Sequence, residues 1–180
     1  MRTKILSAAF STLLLAGAAH AEDTSATVDI NGTVTSDSTG TCGLTLNQNL
    51  VSLSENIKNV INQGDKNYNG DGPNVYFYFS GGDECFKLAG EGRLVYRFSG
   101  TADDADGTAI ANTDSSEAGA KGLGIGIYDK DHNVIALNKG TLTATSTGID
   151  MINFTMVKLA GHEAFAGKVR GTLTISIESL

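Results

Sequence analysis

Residues 23–34 read DTSATVDINGTV, and their alternation decides how the rest of the chain is read. Ala26, Val28 and Ile30 fall on one side of an extended segment, Thr27 and Asp29 on the other. A period of two is the signature of a β-strand with one buried face. The closing segment AGKVRGTLTISIESL repeats the pattern, with Val169, Gly171, Leu173, Ile175 and Ile177 on a common face. A chain that begins and ends in half-apolar strands poses one question: what does the terminal strand at Asp23 pair with? A segment so near a chain end stays ordered only where something ties it down.

The residues ahead of that strand set the compartment. MRTKILSAAFSTLLLAGAAHA carries Arg2 and Lys4, an apolar stretch around Leu13, Leu14 and Leu15, and small residues at Ala19 and Ala21. This pattern predicts a secretory signal peptide at 1–21 with cleavage after Ala21. The apolar stretch is short for a bilayer span, and no other run in the sequence approaches the length that a span needs. Cleavage leaves 159 of the 180 residues, enough for one domain with a core. Losing Arg2 and Lys4 takes the formal net charge from −7 to −9. An acidic surface argues against nucleic acid and anionic lipid as partners and selects no function by itself.

Two cysteines remain, Cys42 and Cys85. An even pair in an exported chain implies one disulfide. It would close a loop of about 44 residues, worth roughly 4 kcal/mol in the chain-entropy model. No CxxC is present, and two cysteines with His132 and His162 make a poor zinc set.

Between the two ends the chain reads as short strands and turns. Glycine occurs 22 times and proline once, so Gly, Asn and Asp make the turns. Val75–Phe79 and Arg93–Phe98 are β-rich, with Leu94, Tyr96 and Phe98 on one side and Val95 on the other. Leu123, Ile125 and Ile127 alternate with glycines, Asp129–Asn133 turns, and Val134–Leu137 returns. Leu142 and Ala144, then Ile152, Phe154 and Met156, continue the series. Such spacing predicts a single all-β sandwich or barrel. Ile57, Val60 and Ile61 alone show helical spacing, enough for a turn or two.

Several stretches invite a chemical reading. DKNYNG, Asp65–Gly70, matches the first half of a calcium loop, but its twelfth position is Tyr76 instead of a bidentate Glu. A polar loop between strands is the better account, and the same holds for Asp103, Asp104 and Asp106 before Gly107. Gly122, Gly124 and Gly126 lie in a strand with no helix to follow, unlike a nucleotide-binding turn. No GxSxG elbow accompanies His132 or His162, so no catalytic residue, metal or cofactor is assigned.

In order along the chain, five stretches resemble fimbrial (pilin) subunits assembled by the bacterial chaperone–usher pathway. NGTVTSDSTGTCGL (31–44) resembles their opening strand and first cysteine. Cys85, and then RLVYRFSGTADDADG (93–107), resemble the second cysteine and the strand after it. GLGIGIYDKDHNVIAL (122–137) is similar to their Gly-Val-Gly-Ile strand and Asp-containing hairpin, and the closing strand falls where theirs does.

The resemblance implies an incomplete immunoglobulin-like sandwich at 32–180, completed by a donor strand, with an N-terminal donor-strand extension at 22–31. It further implies that Ala26, Val28 and Ile30 enter a neighbouring subunit's groove and do not pair with their own domain. Val169, Leu173, Ile175 and Ile177 would line the acceptor groove and meet a periplasmic chaperone, which would also take the carboxylate of Leu180. The implied partners are that chaperone, an outer-membrane usher and other fimbrial subunits, in a surface fimbria supporting cell adhesion. The chain departs from the family at Thr24, where a glycine is usual, and at Ser179, where a tyrosine is usual. Ser80–Glu84 resembles an insertion. The alternative is a secreted, self-contained β-sandwich that binds sugar or protein. A binding module or a hydrolase needs no outward donation of residues 22–31, which separates both from a polymer subunit.

Overall fold

The computed structural model describes residues 23–34, 36–37, 40–67 and 72–180, with the side chains of residues 23, 28–34, 36–37 and 40–41 left aside. The signal peptide expected at 1–21 lies outside the described residues. The strands are β1 (Asp23–Val34), β2 (Ser36–Asp37), β3 (Gly40–Thr41), β4 (Gly43–Leu46), β5 (Leu50–Asn56), β6 (Ile61–Asn62) and β7 (Asn74–Ser80). A helix, α1 (Asp83–Gly90), precedes β8 (Leu94–Gly100), β9 (Ile110–Ala111), β10 (Leu123–Tyr128), β11 (Thr141–Thr143), β12 (Ile149–Lys158) and β13 (Lys168–Ser179).

Two sheets face each other as an all-β sandwich of immunoglobulin-like kind. One runs β11-β8-β13-β1-β5, the other β4-β7-β12-β10-β9 with β6 beside β12, and β2 and β3 form a small ribbon. Each long strand turns its apolar alternates inward. Val75, Phe77 and Phe79 of β7 are buried, as are Leu173, Ile175 and Ile177 of β13. Phe77 meets Tyr96 edge-on, with ring centroids 4.5 Å apart, at the centre of the core.

The strand LGIGIY, β10, is buried along its whole length and so on both faces. Ile125 and Ile127 point into the main core, while the glycines lie on the opposite face under a second apolar cluster of Ala109, Tyr128, Val157 and Leu159. A Cβ at Gly126 would stand 2.7 Å from the Tyr128 ring, so glycine is what lets the tyrosine fold over its own strand. The spacing reflects packing and needs no ligand.

Two local expectations change. Ile57–Asn59 form a turn, and the helix is α1, at the apparent insertion before Cys85. Asp83 and Glu84 in its first turn suit the positive helix N-terminus. Cys85, Leu88 and Ala89, spaced by three and four, form its buried stripe. Val95, expected to face away from Leu94 and Tyr96, is also buried, 2% exposed. The predicted Cys42–Cys85 disulfide is present, with Cα atoms 5.9 Å apart, and ties the start of β4 to α1.

Candidate functional site

The first sheet contains an unusual place. β1 lies between β13 and β5, parallel to the former and antiparallel to the latter. The register sets Ala26 opposite Val169, Val28 opposite Gly171, Ile30 opposite Leu173, Gly32 opposite Ile175 and Val34 opposite Ile177. The two sets of residues singled out in the sequence are therefore brought together along one ladder. They meet here within a single chain, where the resemblance implies a meeting between neighbouring subunits. The side chains of Val28 and Ile30 lie outside those described.

The rest of the site is built around that ladder. Val169, Leu173, Ile175 and Ile177 are all buried on the core face of β13. Gly171 keeps the floor open: a Cβ there would stand 2.6 Å from Ile110 Cγ2. The far wall is β5, whose Val51 and Leu53 are buried while Ser52 and Ser54 face solvent. This wall carries its own period-two signal in VSLS, which the sequence reading did not use.

β5 has no ladder partner other than β1 among the described residues. Take β1 away and β13 becomes an edge, facing β5 across a slot two strand spacings wide, roughly 10 Å. Row after row of backbone N–H and C=O groups on both walls would then lack partners. In the chain that place is held by β1, whose Ala26 is buried against the core.

Two contacts fix the ends of the arrangement. Thr24 is fully buried, and its hydroxyl donates to the Gly167 carbonyl at 2.8 Å, with Met156 Sδ at 3.5 Å. The Ser25 amide donates to the same carbonyl at 3.2 Å. Thr24 thus anchors the start of β1, where the resemblance leads to an expected glycine. At the other end of β13, Arg93 Nη2 and Nε donate to the Leu180 carbonyl oxygen at 2.8 and 3.1 Å. The Leu180 amide returns a bond to the Arg93 carbonyl at 2.7 Å. The chain end expected to be held by a chaperone is here held by the chain's own arginine.

The acidic motifs prove to be loop organisers. Asp103 is buried, and its carboxylate accepts from the amides of Ala105, Asp106, Gly107 and Ala109 and from Gln63 Nε2. Burial pushes its pKa up, but the Ala109, Gln63, Ala105 and Gly107 bonds outweigh that and hold it below the usual carboxylate range. Asp129 is similar: burial opposes ionisation, and bonds from Asn133 and Asp131 prevail. Of the calcium-like stretch, residues 68–71 lie outside the described residues, Asn67 is buried and donates to Asn153, and Tyr76 sits in β7. His162 Nε2 is 3.6 Å from Asp104 on the surface, and His132 occupies a turn at φ 64°. Among the described residues no three His, Cys, Asp or Glu side chains gather as metal ligands, and no helix is long and apolar enough to cross a membrane.

Compared with known families, residues 28–178 match the family model described as Fimbrial protein. No curated protein matches the chain.

Proposed function

Because the chain belongs to the fimbrial protein family, a structural family of pilus subunits, we propose that it is polymerised into a surface fimbria by donor-strand exchange and so supports cell adhesion. Residues 22–31 are the donated extension, and Ala26, Val28 and Ile30 are its groove-filling side chains. The acceptor is the slot between β13 and β5, lined by Val169, Leu173, Ile175 and Ile177. A periplasmic chaperone occupies it first, and the extension of the next subunit displaces that chaperone at the outer-membrane usher. This is strand addition used as a joint between subunits.

One observation carries the reading: among the described residues, β5 joins the sheet only through β1. A neighbour's copy of residues 23–34 has the same sequence and can satisfy the same two walls. Filling the slot with Val28 and Ile30 contributes roughly 1.5–3 kcal/mol for each side chain fully buried.

The test is denaturant unfolding of residues 32–180 with and without a peptide of residues 22–34. Weak stability alone and a midpoint that climbs with peptide concentration are expected, since a ligand for the folded state alone must stabilise it. A truncated chain already stable and indifferent to the peptide would show a self-contained sandwich and move the assignment to a binding module.

A further inference from the structure

The second sheet carries a feature that the proposed joint does not use. Seven large hydrophobic side chains are exposed among the described residues, and four of them, Tyr76, Tyr78, Phe86 and Ile149, fall together. Tyr78 pairs with Ile149 and Tyr76 with Met151 across β7 and β12, so these side chains share the sheet's outer face. Phe86 joins them from α1, its ring 5.0 Å from that of Phe79, and a Cβ at Gly148 would stand 3.3 Å from it. Apolar side chains scattered singly need no explanation, whereas a contiguous patch marks a contact surface.

Beside this face lies a cleft of about 170 Å³, with Tyr76, Leu142 and Met151 on its apolar side and the turn at 129–131 on its polar side. Small-molecule sites run to roughly 300–1,000 Å³, so this one suits a single side chain. Three carboxylates line it, Asp129, Asp131 and Asp150, against one lysine, Lys130. Asp129 is occupied within its own turn, accepting from the amides of Asp131 and Asn133. Lys130 is turned to Asp131, 2.7 Å away. Asp150 is placed differently. It is only 8% exposed, and one of its oxygens accepts from the Thr145 amide at 3.0 Å. Among the described residues no lysine, arginine or histidine pairs with it. The Tyr96 hydroxyl near it is fully buried and lacks a hydrogen-bond partner. Burial, and then the Asp150 charge, push the Tyr96 pKa up, so that phenol stays neutral and cannot balance the carboxylate. A buried charge without a counter-charge is costly.

We infer that this face binds a partner protein through a basic segment with apolar flanks: an arginine enters the cleft, pairs with Asp150 and stacks on Tyr76, while its neighbours lie along Tyr78, Ile149 and Phe86. Charge complementarity selects the occupant. The cleft holds more carboxylates than cations, the whole chain is at −7, and a cation is what Asp150 lacks. A guanidinium answers a carboxylate and an aromatic face at once, which an ammonium does less well. Tyrosine, phenylalanine and methionine are the side chains that contact surfaces favour. The site stands apart from the slot: β11, which lends Leu142 and Thr143 to the cleft, lies at the opposite edge of the first sheet from β5. Strand donation does not use it, and the inference does not rest on that reading.

The experiment titrates the isotope-labelled mature chain, residues 22–180, with the peptide acetyl-Leu-Arg-Phe-Leu-amide. A second titration uses its citrulline counterpart, which keeps the shape and removes the charge. Amide shifts should map to residues 76–78, 129–131 and 149–151, and citrulline should weaken binding by about tenfold or more. Asp150→Asn, which keeps an acceptor for the Thr145 amide, should weaken the arginine peptide about tenfold. Tyr76→Ser changes an exposed side chain and should weaken it about threefold, which keeps the inference testable if Asp150→Asn does not fold. No shift at about 1 mM peptide overturns the inference, as do shifts confined to β5 and β13. Equal binding of the citrulline peptide, or unchanged affinity in every variant that folds, overturns it too. Shifts at the same residues with the neutral trisaccharide maltotriose and none with the peptide would replace it with a sugar site.

Discussion

β1 and β10 are both interior strands, each flanked by two others, yet they are held in opposite ways. β10 is shaped for one position only: glycines on one face, isoleucines on the other, and Tyr128 closing over it. Its neighbour β12 pairs with it over the whole strand, Leu123–Lys158 to Tyr128–Asn153. β1 is ordinary on its outward face, with exposed Ser25, and its walls come from β5 and from the far end of the chain. A strand with buried surface on both faces cannot leave without unfolding the sandwich. A strand with one buried face can be drawn out at the cost of that face alone, which is what the proposed exchange requires. The difference between a core strand and the proposed joint thus lies in the second face.

The comparison breaks most severely if removal of β1 is harmless. The chain from Gly32 onward should be poorly soluble, and saturating peptide at a hundredfold excess over its Kd should restore about 2.7 kcal/mol. The disulfide braces β4 and α1 away from β1. Cys85→Ala should cost about 2–5 kcal/mol and cut exported yield, read by thermal unfolding and by non-reducing gels. Unchanged yield would place the bridge outside the energetics of folding.

Smaller effects sharpen the contrast strand by strand. Gly126→Val drives a side chain into Tyr128 and should cost about 1–3 kcal/mol, because a packed face has no room to yield. Ser25→Val, outward on β1, should change stability by less than about 0.5 kcal/mol. Equal costs for the two would erase the distinction. Asp103 supplies the pH dependence. Its folded pKa lies below the ordinary carboxylate value, so its contribution is present above about pH 4 and is lost as pH falls through the folded pKa. Unfolding midpoints measured from pH 5 down to pH 2 should fall more steeply for the parent than for Asp103→Asn, and parallel curves would refute this.

The sequence carried the strands well because alternation records which residues face the core. Val169, Gly171, Leu173, Ile175 and Ile177 read as one face and are one face. Alternation holds no information on which strand lies alongside or in which direction. The alternation of Ala26, Val28 and Ile30 does not name the strand they lie beside, and the parallel in-chain pairing emerged only from the fold. The helix at Asp83–Gly90 was missed although its acidic start and its spacing of Cys85, Leu88 and Ala89 are helical, because the glycines around it read as a loop. Arg93 gave no signal at all: a lone arginine 87 positions from the chain end becomes a clasp only when β8 and β13 pair.

The hydroxyl of Thr24 and the carbonyl of Gly167 are separated by 143 positions. Export delivers the chain from its N-terminal side, so the first strand emerges long before the last one that it can rest against. Pairings this distant in sequence form slowly. Until β13 is in place β1 lacks one of its two walls, so the order of delivery, and not affinity alone, governs when this sheet closes.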